Sequence, residues 1–431
     1  MSLLDQFPRL SAYDPGAAGE GGLDPLGLGA TADRIADVLV PGIRARMSQP
    51  RFLTISAVGA LAYQTLHELT ADQGKTTVDI AFEWLVVEAI VRHPGNGRTD
   101  GLPGNQKAAR AKAANERLSR RTYLNGPRVF GFTGVYRPFS RNVGVLSSDD
   151  FPAENAIRLV NAWERDLQLP GYATGAAGTR GGKLRKDITD ACERTLEKGE
   201  CSPPPNGQLL RDLSDFLAPR EAGPQERGVL RQLIVTGNHE IRNELAAILI
   251  AQPPSANIGQ RDLALQLHEK ASPMTRRALS AAIDYENAAT ALDNTFRRFL
   301  AHTTQQHGSV ISSADALQTP GLAELAPKIG YLVKQAITSI SELDEVGLGN
   351  QAALVLERFA APFTPHEFLH ALIERHEDVQ ASKNKLSWLD RINGDWTVRI
   401  PYRNQSRDLN DEIWVHPMRL VTLANFLTET A

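Results

Sequence analysis

Ile80-Ala81-Phe82-Glu83-Trp84-Leu85-Val86-Val87-Glu88-Ala89-Ile90-Val91 is the most apolar stretch of the chain, and its reading decides how the rest folds. A membrane span takes about 20 apolar residues; this stretch is shorter and carries Glu83 and Glu88. It therefore reads as a helix buried on all sides inside a protein core. Thr77 opens it and His93-Pro94-Gly95 closes it. Proline disfavours helix in the residue before it, and glycine tolerates the left-handed turn past a helix end.

On the N-terminal side, residues 1–30 hold repeated Gly and Pro with little apolar periodicity and read as an extended arm. Met1 to Leu10 has no basic region followed by an apolar run, so no signal peptide is expected. Thr31 caps a helix through Arg34, Ile35, Val38 and Leu39 that Pro41-Gly42 breaks. Phe52, Ile55, Val58, Leu61, Ala62 and Leu66 then recur at helical spacing.

On the C-terminal side, residues 106–121 are Ala-rich and predict one helix, and a second follows over 133–141. Residues 152–169 are amphipathic, with Ile157, Val160, Trp163 and Leu167 on one side. The run PGYATGAAGTRGG at 170–182 reads as a flexible connection and a domain boundary. Helical spacing continues from 227 to 310 and from 319 to 361, with no repeat of fixed period.

The last 70 residues differ. Thr364-Pro365 starts a helix to about Val379, and Asn393-Gly394 is a type I′ hairpin signal between 386–392 and 396–400. Trp396, Val398 and Ile400 alternate with Thr397 and Arg399 as a half-buried strand does. A final helix is expected over 418–428. Helix, hairpin and helix follow the order of a winged helix. The expected fold is thus mainly α and multi-domain: an arm (1–30), two helical domains (31–170 and 183–360) and a winged-helix-like C-terminal domain (361–431).

Bulk properties agree. The 431 residues are 42% hydrophobic and 23% charged, with 6% aromatic, which is ordinary for globular proteins and poor in strand formers. A net charge of −3 gives no global attraction to nucleic acid or membrane. The two cysteines, Cys192 and Cys201, lack zinc-knuckle spacing and point to a reducing cytoplasm.

Three motifs carry chemistry. His366-Glu367-Phe368-Leu369-His370 matches H-E-x-x-H, in which histidines four apart share a helix face and can hold zinc with the glutamate as base. His376 stands where a longer version of the motif has a third ligand, but Ile373 occupies the glycine that would turn the chain. On a continuing helix His376 lies ~120° from His370, at ~100° per residue. An ordinary amphipathic helix is the stronger reading. Gly181-Gly182-Lys183 fails as a P-loop, with Leu184 at the Ser/Thr position and Ala177 at the first glycine.

The third motif is charge. Arg98, Lys107, Arg110, Lys112, Arg117, Arg120, Arg121, Arg128, Arg137 and Arg141 face only Asp100 and Glu116. On one helix, Lys107, Arg110, Arg117 and Arg121 fall within an arc of ~80° at ~100° per residue, a stripe able to follow a phosphate backbone. Arg137 and Arg141 extend it, and Lys383, Lys385, Arg391, Arg399, Arg403 and Arg407 surround the C-terminal hairpin. A solvated face or a protein-docking face is the competing reading.

Two sets of phrases, residues 126–136 (Gly126-Pro127-Arg128-Val129-Phe130-Gly131-Phe132-Thr133-Gly134-Val135-Tyr136) and Glu374-Arg375-His376-Glu377 through Trp388 and Tyr402-Arg403, resemble uncharacterised bacterial proteins of anti-phage defence gene clusters. The resemblance implies a subunit that works with partner proteins such as an ATPase or nuclease, and carries no site residues across. The expectation is a non-enzymatic DNA-binding or adaptor subunit of such a complex, in the cytoplasm, binding duplex DNA and protein partners, with no cofactor and no membrane. A zinc hydrolase using His366, His370 and Glu367, or a purely protein-binding scaffold, are the alternatives.

Overall fold

The central apolar stretch forms the helix Val78–Arg92, and all but its first-turn Asp79 and terminal Arg92 are buried. It packs with a second helix that is apolar all round, Phe52–Tyr63. A helix without a polar face has no way to meet water, so these two form the hub on which amphipathic helices lay one face each. The computed structural model describes residues 24–95, 99–343, 345–403 and 409–431. These are mainly helical, with small sheets and no helix long and apolar enough to cross a membrane.

The chain divides into two units. The hub unit is Val40–Pro253 with Thr422–Ala431. Helices Glu154–Asp166, Arg180–Lys198 and Gln208–Phe216 surround its centre. Trp163 Nε1 donates to the Phe216 carbonyl at 3.0 Å, and the Tyr172 hydroxyl donates to the Val58 carbonyl at 3.0 Å. The run 170–182 lies inside this unit. Thr179 caps the Arg180–Lys198 helix by accepting from Gly182 N at 3.0 Å. Gly181 and Gly182 are buried, and a Cβ on either would overlap the carbonyl oxygen of Leu169 or Ala176. The glycines thus serve a close helix start, where composition alone reads as a linker.

The described part of Met1–Leu39 groups with Pro254–Val421. The 34-residue helix Pro273–Gln306 runs through this long-helix unit, packed on Gly29–Leu39, Gln260–Lys270 and Ile329–Ser341. The end of the expected arm is anchored: Leu26 and Leu28 are buried, and Asp24 accepts from Leu28 N and Gly29 N at 2.9 Å each. Residues 1–23 lie outside the described residues.

Two short strands, β1 (Thr70–Ala71) and β2 (Thr76–Thr77), pair in the hub unit. The long-helix unit holds β3 (Val310–Ile311), β4 (Leu389–Ile392) and β5 (Asp395–Val398), antiparallel in the order β3-β5-β4. Asn393 (φ 51°) and Gly394 (φ 95°) make the expected hairpin turn. The strand stops at Val398, two residues short of its expected end, and Ile400 is exposed in a following turn. The final helix, Leu420–Glu429, also departs from expectation: residues 422–431 belong to the hub unit. There Phe426 meets the Phe139 ring at 6.0 Å, and Arg231 donates to the Leu427 carbonyl at 2.9 Å.

Candidate functional site

The basic segment does not form one helix. The helix Asn105–Ala113 ends where Asn115 takes a left-handed φ of 55°, with Asn115 N and Glu116 N closing on the Lys112 and Ala111 carbonyls at 3.0 and 2.8 Å. The cause lies in the next residues. Glu88 on the buried hub helix needs partners, and the chain turns in to supply them. Arg117 Nε donates to Glu88 Oε1 at 2.5 Å, Leu118 N to Glu88 Oε2 at 3.0 Å, and Leu118 itself is buried. Arg92 completes the set at 2.6 Å.

The predicted stripe is therefore split. Lys107 and Arg110 lie exposed on the helix, while Arg117 is a structural ion-pair partner beyond it. Arg121 is exposed and paired with Glu116 at 2.8 Å. Arg137 pairs with Asp79 and, at 3.4 Å, with Asp150; Arg141 reaches Asp150 at 2.8 Å. Lys107, Arg110, Lys112, Arg120, Arg121, Arg128 and Arg141 are the exposed cations of the segment among the described residues, Lys112 donating to the Val91 carbonyl at 2.9 Å. Arg120 and Arg121 line an open cleft of about 470 Å³ with Ser119 and Asn125. Arg98 and Arg407 lie outside the described residues.

The H-E-x-x-H residues sit in the first turns of the helix Pro365–Ser382. The His366 and His370 rings are 4.6 Å apart. Glu367, however, closes a capping box: its carboxylate accepts from Thr364 N and Oγ1 at 2.9 and 2.7 Å, while Thr364 Oγ1 accepts from Glu367 N at 3.3 Å. The Thr364 hydrogen bonds hold its carboxyl below the ordinary range. That assignment ties the would-be base to the helix start. His376 is buried on the opposite face, its Nδ1 on the Pro25 carbonyl at 2.9 Å and its Nε2 accepting from Trp388 N at 2.9 Å. Both nitrogens are engaged, so it is no third ligand. Among the described residues no group of three His, Cys, Asp or Glu side chains converges to hold a metal.

The cations expected on the hairpin also turn inward. Arg399 is 8% exposed and paired with Asp390, and Lys383 donates to the Asp24 carbonyl at 3.0 Å. Lys385 is half-buried. Arg391 is exposed but lies over the Trp396 ring at 4.7 Å.

The opposite charge gathers on the same helix. Phe368, Leu369, Leu372, Ile373 and Val379 bury one face of the Pro365–Ser382 helix. Its exposed face carries Glu367, Glu374, Glu377 and Asp378, within an arc of ~100° at ~100° per residue. Partial burial, with Glu374 nearby, raises the Glu377 carboxyl above its ordinary range. The signal was legible as acids three, four and seven apart. It was masked by the histidines between them.

Glu83 has a strongly shifted carboxyl, pushed up to about 7 because burial outweighs its hydrogen bonds. It accepts from the Tyr123 hydroxyl at 2.7 Å and from Thr133 N at 2.8 Å. Gly131 passes so close that a Cβ there would overlap Glu83 Oε1. This enclosure makes Glu83 a packing group between hub elements. No protein-family model, no curated protein and no solved structure matches the chain at a significant level.

Proposed function

We propose that the chain is a non-enzymatic adaptor subunit whose Pro365–Ser382 helix and adjoining hairpin dock a protein partner. One observation carries this reading. The Pro365–Ser382 helix directly precedes the β4–β5 hairpin, whose β5 also pairs with β3; read as a winged-helix-like module, that helix is the element a DNA groove would receive. Here that helix presents Glu367, Glu374, Glu377 and Asp378 to solvent. Carboxylates facing phosphates oppose binding, because affinity for DNA rests on neutralising them. An acidic face, in a unit that also exposes Leu386 and Ile400 near the hairpin in sequence, favours a basic protein surface instead. The resemblance to proteins of anti-phage defence clusters supports placing that partner in a bacterial defence complex. Purification from the native cell after nuclease treatment tests it: a partner that stays bound supports the adaptor, and one released by nuclease contradicts it.

Duplex DNA contact is the second reading, and it rests on the hub unit. Exposed Lys107, Arg110, Arg120, Arg121 and Arg128 supply the local positive charge that the net charge of −3 does not.

A further inference from the structure

Arg51, Arg297, Arg399 and Arg419 are buried arginines that each hold a carboxylate: Glu226 at 3.0 Å, Asp293 at 2.7 Å, Asp390, and Asp33 with Asp37. Arg242 is buried as deeply, at 0% exposure, and pairs with no carboxylate among the described residues. A guanidinium without a counter-charge is the costly case for a buried ion. Burial pulls it down to about 10, which still leaves it charged at neutral pH.

The side chain starts in the first turn of the helix Glu240–Ala251 and lies over the Phe139 ring, 5.6 Å from its centroid. Its Nη1 donates to the Asn142 side-chain oxygen. Its Nε and Nη2 are buried and have no hydrogen-bond partner. These two nitrogens form one edge of the guanidinium plane, where two N–H bonds run parallel and match the two oxygens of a carboxylate. The acids nearest in sequence cannot fill it: Glu240 and Glu244, two residues to either side, lie ~200° around the helix at ~100° per residue. His239 accepts from Arg242 N at 3.2 Å, and burial with the Arg242 charge lowers its imidazole below the ordinary range, so it stays neutral. The helix N-terminus adds positive potential of its own.

A short loop closes over this edge. Residues 236–239 join the helix Pro224–Val235 to Glu240–Ala251. Gly237 rests on the guanidinium so closely that a Cβ there would overlap Nη2. Two hydrogen bonds hold the Gly237 carbonyl, from Asn243 Nδ2 at 2.6 Å and from His239 N at 2.8 Å. Thr236 and Asn238, on either side, are exposed.

We propose that Arg242 anchors a carboxylate site, opened when residues 236–239 lift and the Nε–Nη2 edge takes both oxygens of a monocarboxylate. Charge selects the ligand: one carboxylate cancels one guanidinium, whereas a phosphate dianion would leave net negative charge in the interior. A free organic acid and the C-terminus of a peptide share this chemistry. The site belongs to the hub unit and does not rest on the acidic docking helix.

Thermal unfolding of the full chain, with chloride replaced by acetate, N-acetylglycine or phosphate at fixed ionic strength, tests the proposal. Acetate and N-acetylglycine are expected to raise the melting temperature saturably, and phosphate is not. A larger rise with N-acetylglycine assigns a peptide terminus, and an equal rise assigns the free acid. Hydrogen exchange reads the loop: acetate should speed exchange in residues 236–239 while it stabilises the chain as a whole. Arg242→Met replaces the buried charge with an apolar chain, a change that folded proteins tolerate, and should abolish both effects. Arg242→Lys keeps the charge without the fork and should weaken the acetate response at least ~10-fold. No difference between acetate and chloride in the wild type overturns the proposal, as does an acetate response in either variant equal to that of the wild type.

Discussion

The Tyr123 hydroxyl donates to Glu83 Oε1 at 2.7 Å in the interior of the hub, where neither side chain meets water. Burial raises the Glu83 carboxyl from 4.5 to about 7, so the folded chain takes up a proton there that the unfolded chain releases. Between those two values the folded state binds more protons, and stability falls as pH rises. The contribution is complete below about pH 4.5 and lost by pH 7 and above; its ceiling is about 3 kcal/mol, from 2.5 pH units at 1.36 each. Glu83→Gln should therefore flatten the pH dependence of stability. Urea unfolding at pH 5 and pH 8, compared between wild type and variant, reads the difference directly.

Arg117 and Arg110 separate structure from surface. Arg117→Ala removes one of three partners of buried Glu88 and is expected to destabilise the hub by about 2 kcal/mol. Arg110→Glu is exposed and should stay within about 0.5 kcal/mol. Both are checked by denaturant midpoints.

Duplex DNA affinity has the opposite dependence. Combined reversal of Lys107, Arg110, Arg120 and Arg121 to Glu should weaken binding in fluorescence anisotropy and reduce its salt slope. Equal affinity and slope would remove this surface from the DNA reading.

How far the chain was legible in its sequence follows from the range of each signal. The buried helix at 78–92, the amphipathic 154–166 helix and the Asn393-Gly394 turn are written in local period and turn chemistry, and all three are present. The 106–121 helix failed because the need of Glu88 for partners overrode local propensity at Asn115. The division of the chain was not legible either. Burial of Leu26 and Leu28 joins the early chain to residues after 254, and no spacing encodes that. The basic run at 98–141 was visible only as charge, because which cations turn inward depends on carboxylates such as Glu88 and Asp150 elsewhere in the chain.

His376 offers a test of the neutral-imidazole reading. Burial pulls it from 6.5 to about 4, so its contribution to stability is present above pH 6.5 and lost as pH falls toward 4. His376→Ala leaves the Pro25 carbonyl and Trp388 N without their partner and should cost about 2–4 kcal/mol. Thermal melts of wild type with and without added zinc should coincide.

Glu367→Ala breaks the capping box at Thr364 and should lower the unfolding midpoint only slightly. A much larger effect in equilibrium unfolding would assign Glu367 a role beyond the helix start.

The adaptor claim is met most directly by charge reversal on the docking helix. Wild-type chain and the Glu374→Lys/Glu377→Lys variant would each be purified from the native cell after nuclease treatment and their partners quantified by mass spectrometry. Both positions are exposed, so folding is preserved. The expected result is one protein partner at fixed stoichiometry with the wild type and its loss from the variant. Retention of that partner by the variant would contradict the account.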